Sequence, residues 1–261
     1  MTSQFHPANI SFNRVPEVTI DFWLVKLMAV TMGETAADYL AVKMGLGLTG
    51  TSLVMAGVLA VALVFQFAQK RYVPWAYWLA VVLISIVGTL ITDNMVDNFG
   101  IKLQTTTVVF AAALITTFVL WYVKEKTLSI HSIFTNTREA YYWLAILFTF
   151  ALGTASGDLV AEQFKLGYLP AGILFGLIIA SLTFGYFYLG LDAILAFWLV
   201  YIFTRPLGAS FGDLLSQPKQ YGGFGLGTII TSAIFLAAIC VIVGYMTLTH
   251  EGEERATVPR Q

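Results

Sequence analysis

The sequence predicts an all-α integral membrane protein: eight transmembrane helices arranged as four helical-hairpin repeats of parallel topology, a duplicated duplication. Two observations predict it. Of 261 residues, 58% are apolar and 11% charged, with a mean hydropathy of +0.79, whereas about a quarter of a soluble domain is charged. The second is a pattern written four times. A Trp-Leu pair is followed by Gly ten residues after the Trp and by Asp five residues after the Gly: "WLVKLMAVTMGETAAD", "WLAVVLISIVGTLITD", "WLAILFTFALGTASGD" and "WLVYIFTRPLGASFGD".

Apolar runs long enough to cross a bilayer, about 20 residues each, centre on 20–42, 49–68, 75–97, 103–123, 141–163, 171–189, 191–214 and 226–248. Only the short "YLGLDA" connection separates the sixth run from the seventh. One membrane domain therefore covers 1–248, with repeats at about 14–70, 71–126, 138–190 and 191–248. The polar, charge-mixed tail 249–261 reads as a solvated end. The first eighteen residues lack a basic segment followed by an apolar one, so no cleavable signal is expected. The lone Cys240 lies in an apolar run and is expected to pack, with no disulfide framework. A net charge of −1 gives no reason to expect a nucleic-acid partner.

Basic residues set the expected orientation. Arg14, Lys70, Arg71, Lys124, Lys126, Arg138, Arg255 and Arg260 fall on the side of the termini, against Lys43, Lys102, Lys165 and Lys219 on the other. By the positive-inside rule both termini are cytoplasmic.

The tryptophans Trp23, Trp78, Trp143 and Trp198 are spaced by 55, 65 and 55 residues, so each copy holds two spans and enters the membrane in the same direction. Such copies are parallel repeats about an axis along the membrane normal. Trp is expected as an interfacial anchor. Fifteen residues of helix then put Asp38, Asp93, Asp158 and Asp213 at one depth, roughly 22 Å further along. Gly33, Gly88, Gly153 and Gly208 each precede a small residue by four (Ala37, Thr92, Gly157, Gly212). That spacing lets helix backbones approach closely inside lipid. The odd helices should pack together, and the even helices, without charge inside their spans, should form an outer ring.

One turn from each Asp stands another oxygen-bearing residue: Glu34, Asp97, Glu162 and Gln217. Seven carboxylates and an amide are expected to converge near the axis, with hydroxyls at Thr35, Thr89, Thr92, Thr154, Ser156 and Ser210 beside them. An ionisable residue at membrane depth costs about 2.5–3.5 kcal/mol on the insertion scale, so such residues pair, line water or mark an ion pathway. The donor set is oxygen only; His6, His131 and His250 all lie outside the spans. Hard cations such as Mn²⁺, Mg²⁺ and Ca²⁺ suit it. Closely spaced carboxylates cannot all stay ionised in low dielectric without a cation, so protons and metal should compete. Lys26 and Arg205, each eight residues before an acid, either snorkel to the interface or serve as internal counter-ions. Pro206 beside Arg205 is expected to kink its helix.

The segments "RVPEVTIDFWLVKLMAVTMGETAAD" and "FTRPLGASFGDLLSQPKQYGGFGLG" resemble the bacterial multi-pass membrane-anchored proteins built of a repeat of unknown function, a likeness extending over about 14–248. That resemblance implies the repeat and the bacterial inner membrane and brings no assigned site residues. From the residues themselves the expected function is transport of a hard cation, a divalent metal such as Mn²⁺ first, coupled to protons, and not an enzymatic one. No cofactor is expected; the cation is cargo. Lipid, metal and protons are the expected partners, and homo-oligomerisation is left open. Two other classes compete: an intramembrane aspartyl hydrolase, suggested by "SGD" and "FGD" but lacking Gly-x-Gly-Asp, and a non-catalytic membrane subunit or sensor.

Overall fold

Eight long helices make up most of the described residues: α1 (Ile20–Lys43), α2 (Gly47–Ala68), α3 (Pro74–Asp93), α4 (Leu103–Glu125), α5 (Asn136–Asp158), α6 (Tyr168–Tyr188), α7 (Ala193–Ser216) and α8 (Thr228–Thr257). They come from a computed structural model that describes residues 13–43 and 45–257. The expectations for the first eighteen residues and for the 249–261 tail fall partly outside that description. Within it, α8 continues past the apolar run as far as Thr257. Helices six and seven do separate, at Gly190 (φ 74°) and at Asp192, whose carboxylate caps α7 by accepting from the Leu195 amide.

Seven of these helices are long and apolar enough to cross a membrane. The exception is α1, which carries Asp21, Lys26, Glu34, Asp38 and Lys43 within 24 residues. Its composition fails because it is a lining helix, packed inside the bundle against α3, α7 and α8.

The odd helices close a parallel ring, α1 on α3, α3 on α5, α5 on α7 and α7 on α1. The repeated Gly explains how. A methyl at Gly33 would collide with Ser85, one at Gly88 with Phe150, one at Gly153 with Arg205 and one at Gly208 with Val30. Ser85, Phe150, Arg205 and Val30 are the same repeat position, seven residues after the Trp. Each helix therefore sets one knob into the Gly notch of the helix before it, four times around the ring. Pro206 sits in the same seam, against Gly153 and Gly157, and α7 runs on through it.

The even helices lie outside, with Leu53, Val64, Ile115, Leu177 and Val241 fully on the lipid side. They pack mainly on the next repeat: α2 on α3, α4 on α5, α6 on α7, and α8 back on α1. Each hairpin thus clasps its neighbour, and α8 closes the circle. Cys240 on α8 is exposed, so the expectation that it packs is corrected: it faces outward from α8, away from the ring.

The tryptophans also differ from expectation. Trp78, Trp143 and Trp198 are 1%, 3% and 4% exposed, so they are not interfacial anchors. With Phe22, Tyr77, Tyr142, Phe197 and Tyr201 they form one aromatic cluster that fills the ring where no Gly brings the helices together. Below it, Arg14 pairs with the fully buried Glu139 at 2.7 Å, and Gln66 and Trp143 donate to the same carboxylate. The segment before α1 is held there too, the Arg14 amide donating to the Ile133 carbonyl at 3.1 Å.

Gly208→Ala should lower thermal stability in detergent by about 1–3 kcal/mol, the usual penalty of overpacking. Gly57→Ala, on the outer face of α2 where an added Cβ meets nothing within 4 Å, should be neutral or stabilising by up to about 1 kcal/mol, because Ala is the better helix former. Equal effects of the two changes on the unfolding midpoint would contradict the notch.

Candidate functional site

Above the Gly seam the four lining helices diverge around a cavity of about 520 Å³. Its walls carry Glu34, Asp38, Asp93, Asp97, Asp158, Glu162, Asp213 and Gln217, every carboxylate and the amide that the repeat pattern picks out. They are stacked in three layers set by repeat position. Glu34, Thr89 and Thr154 occupy the residue after the Gly. The four Asp occupy the next turn. Asp97, Glu162 and Gln217 form the outermost layer, beside the connections to α4, α6 and α8. Burial follows the layers: Glu34 is 5% exposed and Asp213 8%, whereas Asp97 and Glu162 are open. The cavity is a funnel narrowing toward the ring's centre.

The outermost layer does not sit on regular α-helix. After Asp93 and after Asp158 the chain makes one π-helical turn, Asn94–Asn98 and Leu159–Gln163. The wider turn alters the i+4 phase expected of Asp97 and Glu162. On α3 that turn is held from outside, Asn94 donating to Ser52 at 2.6 Å and Asn98 to Thr49 at 2.7 Å. Gln217 follows the end of α7 in extended conformation, and its amide donates to the Asp213 carbonyl.

At the floor, Glu34, Asp158 and Asp213 each offer an oxygen within 4.8 Å of the other two. Oxygens on opposite sides of one hard cation lie roughly twice a 2.3–2.6 Å bond apart, so this spacing fits a single ion. Among the described residues none of the four Asp carboxylates accepts a hydrogen bond from the protein. Glu34 is the exception to this openness. Arg205, fully buried, pairs with it at 2.9 Å. The same guanidinium nitrogen donates to Thr154 at 2.8 Å and to Thr89, and Thr89 donates to Glu34 at 3.0 Å.

Several expectations need correction. Arg205 does not snorkel, and the acid it holds belongs to the first repeat, not Asp213 on its own helix. Lys26 is also completely buried, so it does not reach the interface. It has no ion-pair partner among the described residues; its ammonium donates to the Tyr201 carbonyl at 2.9 Å and lies 3.9 Å from the centre of that ring. Thr35 and Ser210, one residue further round their helices than Thr89 and Thr154, turn away from the funnel. Thr35 is 2.7 Å from Ser232 on α8, and Ser210 lies toward Gly172 on α6. Thr92 donates across the α5 seam to the Ala151 carbonyl and Ser156 to the Gly153 carbonyl. Of the six expected hydroxyls, Thr89 and Thr154 are the two that reach the floor. Glu139, a buried acid outside the funnel, was not anticipated; its signal was the Trp143 four residues on, which shares its helix face.

No curated protein and no solved structure matches the chain. A family match does exist and follows the ring: the Repeat of Unknown Function (DUF347) is found four times, over residues 22–72, 76–127, 141–190 and 196–251. These matches cover most of the sequence, one for each lining helix with its outer partner, and the chain belongs to the DUF347 family of repeat proteins.

Proposed function

We propose that this protein carries a hard divalent cation, Mn²⁺ foremost, across a bacterial inner membrane, with protons competing for the same carboxylates. The observation that supports it best is the convergence of Glu34, Asp158 and Asp213 within one ion's reach at the narrow end of a funnel lined by four further acids. Seven carboxylates gathered from four helices are costly in a membrane unless they meet a cation. Oxygen-only donors favour Mn²⁺, Mg²⁺ and Ca²⁺ over zinc or copper. In this reading Asp97 and Glu162 gather cations at the mouth, the four Asp pass them inward, and no bond is made or broken.

The charge distribution supports an orientation. Arg14, Lys70, Arg71, Lys124, Lys126 and Arg138 surround the aromatic end of the ring, so that end faces the cytoplasm and the funnel opens to the other side. The aromatic cluster closes the cytoplasmic side, and a carrier that opens alternately would have to part it. Liposomes holding purified protein and an enclosed Mn²⁺-sensitive dye test the reading. Mn²⁺ entry above protein-free liposomes, reduced by excess Ca²⁺ or Mg²⁺ and indifferent to Zn²⁺, is expected; dye signal equal to empty liposomes would contradict it.

A further inference from the structure

The floor of the funnel already holds a cation, and it belongs to the chain. One nitrogen of Arg205 lies in a cradle of three oxygens, from Glu34 at 2.9 Å, Thr154 at 2.8 Å and Thr89. Among the described residues, the remaining two nitrogens of this fully buried guanidinium have no hydrogen-bond partner. Buried arginines are normally satisfied through several of their donors; here one nitrogen carries all the hydrogen bonds, and the rest of the head has only the Phe150 ring, 5.3 Å from the guanidinium carbon. Its stem fills the Gly153 notch, which fixes the root of the side chain while the head reaches across the ring to α1.

Three features make this more than a structural ion pair. The partners come from α1, α3 and α5 while Arg205 comes from α7, so the contact joins all four lining helices. Its acid is one of the three that converge within one ion's reach. Its position within the repeat is filled by Val30, Ser85 and Phe150 in the other copies, so packing into a Gly notch does not itself require a charge.

We propose that Arg205 is a tethered substitute for the transported cation: it neutralises Glu34 when the carrier is empty and is displaced when a cation binds. This rests on the cation-transport reading above. A carrier must return empty to complete a cycle, and moving an uncompensated buried carboxylate through that change is heavily penalised. With Arg205 in the cradle the empty ring is compensated as the loaded ring is. The unfastened nitrogens keep the displacement cheap, since few hydrogen bonds are lost when the head leaves. Asp158 and Asp213, which have no such ion-pair partner among the described residues, then complete the site for the incoming ion.

The account separates two activities that a purely structural arginine would lose together. Net Mn²⁺ entry needs empty return; exchange of external for internal Mn²⁺ does not. In liposomes, Arg205→Met should reduce net entry by a factor on the order of 100, as expected for an unpaired buried charge, while exchange of radioactive Mn²⁺ persists. Arg205→Lys, which retains the charge, should keep much of the net entry. Glu34→Gln combined with Arg205→Met leaves a neutral cradle and should regain net entry over the single variant, with weaker Mn²⁺ binding. Equal loss of net entry and exchange in Arg205→Met, in protein that remains monodisperse, would overturn the proposal, as would unchanged net entry or failure of the double variant to recover. Absence of both activities in the wild type would instead overturn the cation-transport reading itself.

Discussion

Asp158→Asn should abolish Mn²⁺ entry while leaving the protein folded. Asp158 and Asp213 belong both to the four-Asp layer and to the group of three oxygens at the floor, and Asp158 is the one on α5, the helix whose Gly153 notch receives Arg205. Asn keeps its size and removes one anionic ligand. A neutral amide costs less in the membrane than the acid, so stability should hold or rise. Among the described residues the Asp158 carboxylate accepts no hydrogen bond, so no structural partner is orphaned by the change. Transport should fall to the level of protein-free liposomes, and Mn²⁺ affinity by about 10–100-fold, the loss of one charged ligand in a site of few. Thermal unfolding in detergent should match wild type within about 1 kcal/mol, as for substitutions that break no packing or hydrogen bond. Normal flux at matched incorporation would show that the acid is structural.

Mn²⁺ binding should weaken as pH falls and should release protons at fixed pH. The sign follows from the ligands. A carboxylate binds a hard cation only when deprotonated, so each proton added to Glu34, Asp158 or Asp213 removes a ligand and each cation bound displaces protons. Within the range where these groups titrate, affinity should drop by up to about tenfold per pH unit for every proton exchanged. Titrating Mn²⁺ into weakly buffered protein with a pH indicator reads both quantities together. Affinity independent of pH between 5 and 8, on the order of three decades of proton concentration, would mean that protons and cation do not share these groups.

The four Asp were legible because the repeat wrote them in one register, and one register in parallel copies means one depth. Gly33, Gly88, Gly153 and Gly208 were legible for the same reason, since close approach in a membrane has few other sequence solutions. What each Gly receives was not. The knobs Ser85, Phe150, Arg205 and Val30 share a position but no chemistry, so no pattern announces them. The pairing of Arg205 with Glu34 joins the fourth repeat to the first, 171 residues apart (205 − 34), and needs the closed ring before it can be seen. Thr35 and Ser210 were misplaced because a shift of one residue rotates a side chain by about 100° on a helix. The tryptophans were misread because the interfacial preference of Trp describes lipid-facing surfaces, whereas Trp78, Trp143 and Trp198 point into a ring that needs filling. Asp97 and Glu162 were found, but by a spacing that their π-helical turns do not obey.

The claim on which all of this depends is that the floor of the funnel is a cation site, and crystals grown with Mn²⁺ test it most directly. Anomalous scattering should place one Mn²⁺ among the carboxylates of Glu34, Asp158 and Asp213, with the Arg205 head withdrawn from Glu34. Crystals saturated with Mn²⁺ in which those carboxylates hold no anomalous peak, with Arg205 still seated in its cradle, would contradict it.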